Sequence, residues 1–232
     1  VKLIEFDESP RVFHGRELPA APSPEIWWNR LTEPALVLGS TQRDESIVDD
    51  AVAKASGVDV VRRRSGGGAV LLVPGEVVWF DVILPTGFVG GLGPDVHAPM
   101  RWLGERLATV LHSSVGSQPG LRAERELTVH GTGLVTTRWS SLVCFDGIGP
   151  GEVLLDERKL VGISQRRTRA AARLQCCWYR TYDPRRLVEL IAADHRPAVS
   201  ELVPIATFDS PPHRVSEITV ALMDEIATSC ST

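Results

Sequence analysis

Lysine is scarce in this chain. Among 25 basic residues only Lys2, Lys54 and Lys159 are lysines, and the 232 residues carry a formal net charge of -4. A general nucleic-acid binder normally has an excess of positive charge, so nucleic acid is not an expected partner. No apolar run approaches the roughly 20 residues that cross a bilayer, so no membrane partner is expected either. The opening VKLIEFDESPRVF has no basic stretch followed by an apolar one. That makes the cytoplasm the expected compartment and free thiols the expected state of the cysteines. The four cysteines, Cys144, Cys176, Cys177 and Cys230, form no CxxC pair, and the six histidines form no HExxH and no cluster with cysteine. A zinc ribbon, a thioredoxin-like dithiol and a zinc enzyme are set aside, and no metal site is expected.

What remains is an ordinary globular composition, 43% hydrophobic and 23% charged, arranged as short β-rich runs broken by Gly and Pro. The pattern predicts strands at 35–39, 58–64, 69–73, 77–84, 141–145, 152–156, 159–164 and 172–182. A short helix is expected at 26–30 and another in SIVDDAVAKASG, ending at Gly57. A longer one is expected at 97–113, where Met100, Leu103, Leu107, Val110 and Leu111 form one stripe. Two more follow the Asp183-Pro184 cap and span Val215 to Ala227. The first 26 residues, with Pro19, Pro22 and Pro24, read as irregular, and 114–125 as loop. The short spacer from Asp156 to Lys159 predicts a hairpin. Strand clusters with interspersed helices indicate an α+β fold around a mixed sheet flanked by helices. The length suits a single domain over 1–232, with a core over about 30–182 and C-terminal helices over 183–232.

Between two expected strands lies RRRSGGGAV, Arg62 to Val70. Consecutive glycines are poor strand residues, but they let the backbone bend and let a ligand lie against exposed N–H groups. With Arg62, Arg63 and Arg64 beside it, the segment suits an anion, a phosphoryl group or a developing oxyanion. A glycine hairpin next to a solvated arginine run is the alternative. GxxxxGK[ST] is missing and no helix follows the glycines, which excludes a Walker A loop and a dinucleotide fingerprint. In ERKLVGISQRR (157–167) the expected hairpin presents Lys159. A fixed ammonium there can hold a carbonyl or phosphate and stabilise a tetrahedral intermediate, while a solvated turn lysine is the ordinary alternative. Cys144 lies 15 positions before it, and a free cysteine is most often a small core residue. Cys176 and Cys177 should face opposite ways along one strand.

The string RRRSGGGAV resembles the signature of the lipoate–protein ligases and their octanoyltransferase relatives, members of the biotin/lipoyl protein ligase catalytic superfamily. PALVLGSTQRDE (34–45) is similar to that family's first core strand and Gly-x-x-Gln segment, and ERKLVGISQRR to its lysine segment. The three occur in family order. The resemblance implies a biotin/lipoyl protein ligase-like fold and transfer of a lipoyl or octanoyl group to the lysine of a lipoyl-carrier domain. It implies Lys159 as the essential lysine, with Arg62, Arg63, Ser65, Gly66, Gly67, Gly68, Ala69, Gly162 and Ser164 around the ligand. Two routes are implied. A ligase would activate lipoate with ATP and Mg²⁺. A cysteine-dependent transferase would take the acyl group from an octanoyl thioester, with acyl-carrier protein as donor. Cys144 would carry it, since VCFDG resembles the Cys-Phe segment before the lysine motif of such transferases. The implied acceptors are the lipoyl domains of 2-oxoacid dehydrogenases or the glycine-cleavage carrier protein. A non-catalytic member that binds an acyl ligand or a carrier domain is a further reading. It is suggested by Leu71-Leu72-Val73, where the family has an aromatic residue followed by His-Asp. Glu157 also stands where the family has Gly before its Arg-Lys pair.

Overall fold

The computed structural model describes residues 1–42, 45–88, 95–115 and 126–229. Its strands are β1 (Lys2–Glu8), β2 (Glu25–Leu31), β3 (Ala35–Leu38), β4 (Asp59–Arg62), β5 (Val70–Leu72), β6 (Val77–Pro85), β7 (Leu127–Val129), β8 (Val153–Leu155), β9 (Arg158–Arg167) and β10 (Ala171–Tyr179). Its helices are α1 (Pro10–Gly15), α2 (Asp50–Ala55), α3 (Ala98–Val115), α4 (Pro184–Glu189) and α5 (Pro212–Thr228).

A continuous apolar run marks a strand buried on both faces. β6, VVWFDVILP, is such a strand apart from the buried Asp81, and it sits between β2 and β10 in a seven-stranded sheet of order β1-β2-β6-β10-β9-β8-β7. β1 lies parallel to β2, and the remaining neighbours are antiparallel. A second sheet of order β4-β3-β5 has β3 parallel to β4 and antiparallel to β5. One face of the large sheet presents Phe80, Val82, Leu174 and Trp178 to Leu103 and Leu107 of α3 and to Leu222 of α5. The other face presents Trp79, Ile83 and Tyr179 to Val37, Val70 and Leu72 of the small sheet. Beyond the small sheet, Leu36, Leu38 and Leu71 pack on α2 and α4. The result is an α+β fold with a central mixed sheet and helices outside. Cys176 falls on the α3 side and Cys177 on the small-sheet side, as period-two alternation requires.

Most expected elements are present with ends shifted by a few residues. Three expectations fail. The helix expected at 26–30 is strand β2: a short apolar run fits either period, and pairing with β1 and β6 decides it. The first 26 residues are not irregular throughout. β1 docks on β2, and α1 starts at Ser9, whose hydroxyl accepts from Val12 N–H, with Pro10 in the first turn. The segment 141–145 is not a strand. It holds one bridge, Val143 to Ala69, and then winds into a 3-10 turn, Cys144–Asp146. Residues 116–125 of the expected loop, and Cys230, lie outside the described residues.

Candidate active site

β4 and β5 lie on either side of β3, so the chain from Arg62 to Val70 must cross the end of β3. The crossing leaves no room for side chains. A Cβ on Gly39 would sit 1.8 Å from Gly67 O, and one on Gly68 would sit 2.7 Å from Cys144 N. Gly67 has φ +99°, and a Cβ there would lie 2.9 Å from Arg63 Nη2 and 3.7 Å from Cys144 Sγ. Backbone bonds tie the pieces together: Ala69 N donates to Leu142 O at 2.7 Å, and Cys144 N donates to Ala69 O at 3.0 Å. The glycine turn and the Cys144 turn are therefore one packed unit.

The arginines support that unit from within. Arg63 is 5% exposed; its Nη2 donates to Gly66 O at 2.8 Å and Gly68 O at 2.9 Å and lies 3.9 Å from Cys144 Sγ. Arg62 donates to the carbonyls of Gln42 and Gly39, and Arg64 pairs outside with Glu17. Ser65 donates to Gln175 Oε1 at 2.7 Å and lies 3.0 Å from Ser164 Oγ. Gln175 Nε2 reaches His14 Nδ1 at 2.9 Å. His14, Gln175 and Glu152 carried no motif and escaped the sequence reading.

Lys159 is buried despite its place on a hairpin: it is 3% exposed, with Nζ 2.7 Å from the carboxylate of Glu152, itself 4% exposed. Nζ also donates to Cys144 O and Gly147 O, each at 3.0 Å. Burial alone would lower its pKa, but the Glu152 carboxylate, with Cys144 and Cys177 nearby, raises it above the usual lysine value. A Cβ on Gly162 would come 3.1 Å from the Phe145 ring, so Gly162 lets that ring seat 4.8 Å from Lys159 Nζ. Burial pushes the Cys177 thiol up to about 12, which leaves it a poor nucleophile beside Cys144.

Two cavities meet at Cys144. One is narrow, about 40 Å³, and is walled mainly by apolar groups including Val70, Leu72, Trp79, Phe145 and Cys177. Leu72 stands where the resemblance expects histidine; here it is a wall of this cavity, 3% exposed. The other is an open cleft of about 510 Å³ that runs over Gly66, Gly67 and Gly68 to Lys159, with Met100 and Val135 on its sides. Cys144, Ile163 and Ser164 line both. The structure thus brings Arg63, Ser65, the three glycines, Ala69, Cys144, Lys159, Gly162 and Ser164 to one place, while Arg62 braces the far side of the turn.

This architecture is that of the biotin and lipoyl protein ligases. Residues 15–227 match the lipoyl protein ligase A/B catalytic domain, and the chain belongs to that family. The fold is shared with lipoate-protein ligase A bound with ATP, at 16% identity and TM-score 0.66, over 98% of this chain and 84% of that one. A bi-partite lipoate protein ligase from Thermoplasma acidophilum aligns at 16% identity and TM-score 0.60, over 98% and 82%. Biotin protein ligase from Leishmania major aligns at 10% identity and TM-score 0.51, over 99% and 74%. No curated protein matches.

Proposed function

We propose that the protein moves a lipoyl or octanoyl group from a thioester donor to the lysine of a lipoyl-carrier domain, through an acyl–Cys144 intermediate. The observation that carries this reading is the place of Cys144, at the junction of a narrow apolar cavity and an open cleft. The apolar lining of the first suits an acyl tail, which must widen the cavity beyond its about 40 Å³ to enter, and a donor arm or an incoming lysine suits the second. Cys144 Sγ attacks the thioester carbonyl, the donor sulfur leaves and takes the proton, and a new thioester forms on Cys144. The acceptor amine then attacks that carbonyl, an amide forms, and the Cys144 thiol is restored. Acyl-carrier protein is the proposed donor. Lipoyl domains of 2-oxoacid dehydrogenases or the glycine-cleavage carrier protein are the proposed acceptors. A reducing cytoplasm would keep the thiol free.

The thioester route also suits the local charges. The cations that the sequence offers to a phosphate are engaged elsewhere: Arg62 and Arg63 bind backbone carbonyls, Arg64 pairs with Glu17 at the surface, and Lys159 pairs with Glu152. ATP and Mg²⁺ fit that donor set poorly. The test is intact-mass analysis after mixing the protein with octanoyl-carrier protein in the absence of ATP. An octanoyl adduct that hydroxylamine removes, that passes to an apo-lipoyl domain, and that Cys144→Ala cannot form is the expected result. Lipoylation that needs ATP and survives Cys144→Ala would replace this reading with a ligase.

A further inference from the structure

We infer that Glu152 is a positioning residue for acyl transfer, whose carboxylate locks Lys159 against the turn that carries Cys144. The inference rests on the acyl–Cys144 reading and assigns a role to a residue that no motif singles out.

The geometry of the lock is closed on both sides. One Glu152 oxygen lies 2.7 Å from Lys159 Nζ and accepts from Gly149 N–H at 2.7 Å; the other accepts from Ile163 N–H at 3.2 Å. An ammonium has three hydrogens. Lys159 has three partners for them: Glu152, Cys144 O and Gly147 O. Cys144 opens the 3-10 turn and Gly147 closes it, so a single ammonium grips both ends of the nucleophile's turn. Glu152 in turn joins that turn's exit, at Gly149, to strand β9, at Ile163 and Lys159. Lys159 thus acts on Cys144 through the backbone, and its direction is set by Glu152.

Charge explains why the carboxylate is needed. A buried lysine without a counter-ion loses its proton readily. Removal of one member of a buried pair leaves the other uncompensated. The groups that face Lys159 are Glu152 from the segment before β8, Cys144 from the turn, Cys177 from β10, and the Phe145 ring. Arg63 faces the Cys144 sulfur from the glycine turn. Once Cys144 is acylated it can carry no charge. Cys177 stays neutral because its thiol is pushed up to about 12. In the acyl-enzyme, Glu152 is then the counter-ion that keeps Lys159 an ammonium and so keeps its grip.

Two measurements on the full chain test this. The first is ¹³Cε-lysine NMR in a Cys144→Ala background, where three lysines give a spectrum simple enough to assign. Lys159 should hold its charge past the ordinary lysine range with Glu152 present. With Glu152→Gln it should titrate lower by at least about one unit. The second is the rate at which preformed octanoyl–Cys144 passes its acyl group to an apo-lipoyl domain, followed against pH. Relative to the wild-type profile, Glu152→Gln should gain a falling alkaline limb at the lowered Lys159 pKa and lose about tenfold or more above it. Glu152→Asp should restore the wild-type profile. Should Glu152→Gln fold poorly, the neutral pair Glu152→Gln with Lys159→Met takes its place, and it should be stable, slow at every pH and without the limb. Unchanged Lys159 titration overturns the inference, as does wild-type transfer by Glu152→Gln or by the neutral pair. If the wild-type chain forms no adduct at all, the acyl–Cys144 reading fails instead, while the NMR still reads the lock.

Discussion

A lysine at a hairpin is usually solvated, yet Lys159 has no hydrogen left for solvent. Replacing it should therefore do two things. Lys159→Ala should cut acyl transfer by about 10²-fold or more, as misplacing a nucleophile by about an ångström does. It should also lower stability by about 3–5 kcal/mol, because Glu152 is left buried and unpaired. Denaturant titration alongside adduct kinetics on the folded fraction checks both; transfer within about tenfold of wild type would remove Lys159 from the mechanism. Gly67 makes a complementary case. Its backbone lies in the left-handed region, and its missing Cβ faces Arg63 Nη2 and Cys144 Sγ. Gly67→Val should bring strain of about 1–2 kcal/mol and a larger, roughly 10²-fold, loss of Cys144 acylation, because the new side chain displaces the sulfur's neighbours. A folded Gly67→Val that acylates normally would mean the tight turn is only structural.

The hairpin between β8 and β9 shows how far local signals carry. Its spacing predicts a hairpin, and Leu155 does pair with Arg158 around Asp156 and Glu157, one residue earlier than the expected strand ends. Both turn residues have positive φ, 49° and 62°, without being glycine. Glu157→Gly should thus relieve about 1 kcal/mol and raise the denaturation midpoint. An unchanged or lower midpoint would show that Glu157 makes a compensating contact. β6, β9, β10 and α3 were legible for the same local reason, since a buried β-branched run or a 3.6-residue stripe needs no knowledge of its partner. β2 was not, because EIWWNRL fits two periods and only β1 and β6 select one. The turn at Cys144 reads as a strand because Leu142 and Val143 are apolar; they are buried, but against the glycine turn rather than in a ladder. In the site, residues inside motifs were legible. Glu152 and His14 were not, since their significance comes from distant chain segments that fold against them.

At the scale of the whole molecule, a buried polar chain joins the N-terminal segment to the site. Arg173, 1% exposed, pairs with Asp81 and donates to Phe13 O at 2.8 Å and Arg16 O at 2.9 Å, which fastens α1 on the large sheet. Asp81 also draws on the Gln175 amide. An ionised carboxylate only accepts, so the Gln175 NH₂ faces this side and His14 Nδ1 must accept from it. His14 is then a neutral ring with its proton on Nε2, tilted over Trp79 at 4.5 Å. Burial first, and then the charges of Arg173 and Arg63, hold its pKa well below the ordinary 6.5. The sign of the linkage follows. Below about pH 6.5 the unfolded chain protonates this histidine and the native state does not, so stability falls on acidification by about 1.4 kcal/mol per pH unit. Above that value the contribution is flat. The window to examine is about pH 5 to 6.5, where exposed carboxylates are still ionised; Asp81, whose pKa burial raises, is present in both proteins and drops out of the comparison. Denaturant midpoints in that window should drop steeply for the wild-type chain and less steeply, by about that amount, for His14→Gln. Parallel slopes in the two proteins would mean that His14 is protonated within the fold, and that Gln175 has turned its carbonyl to it.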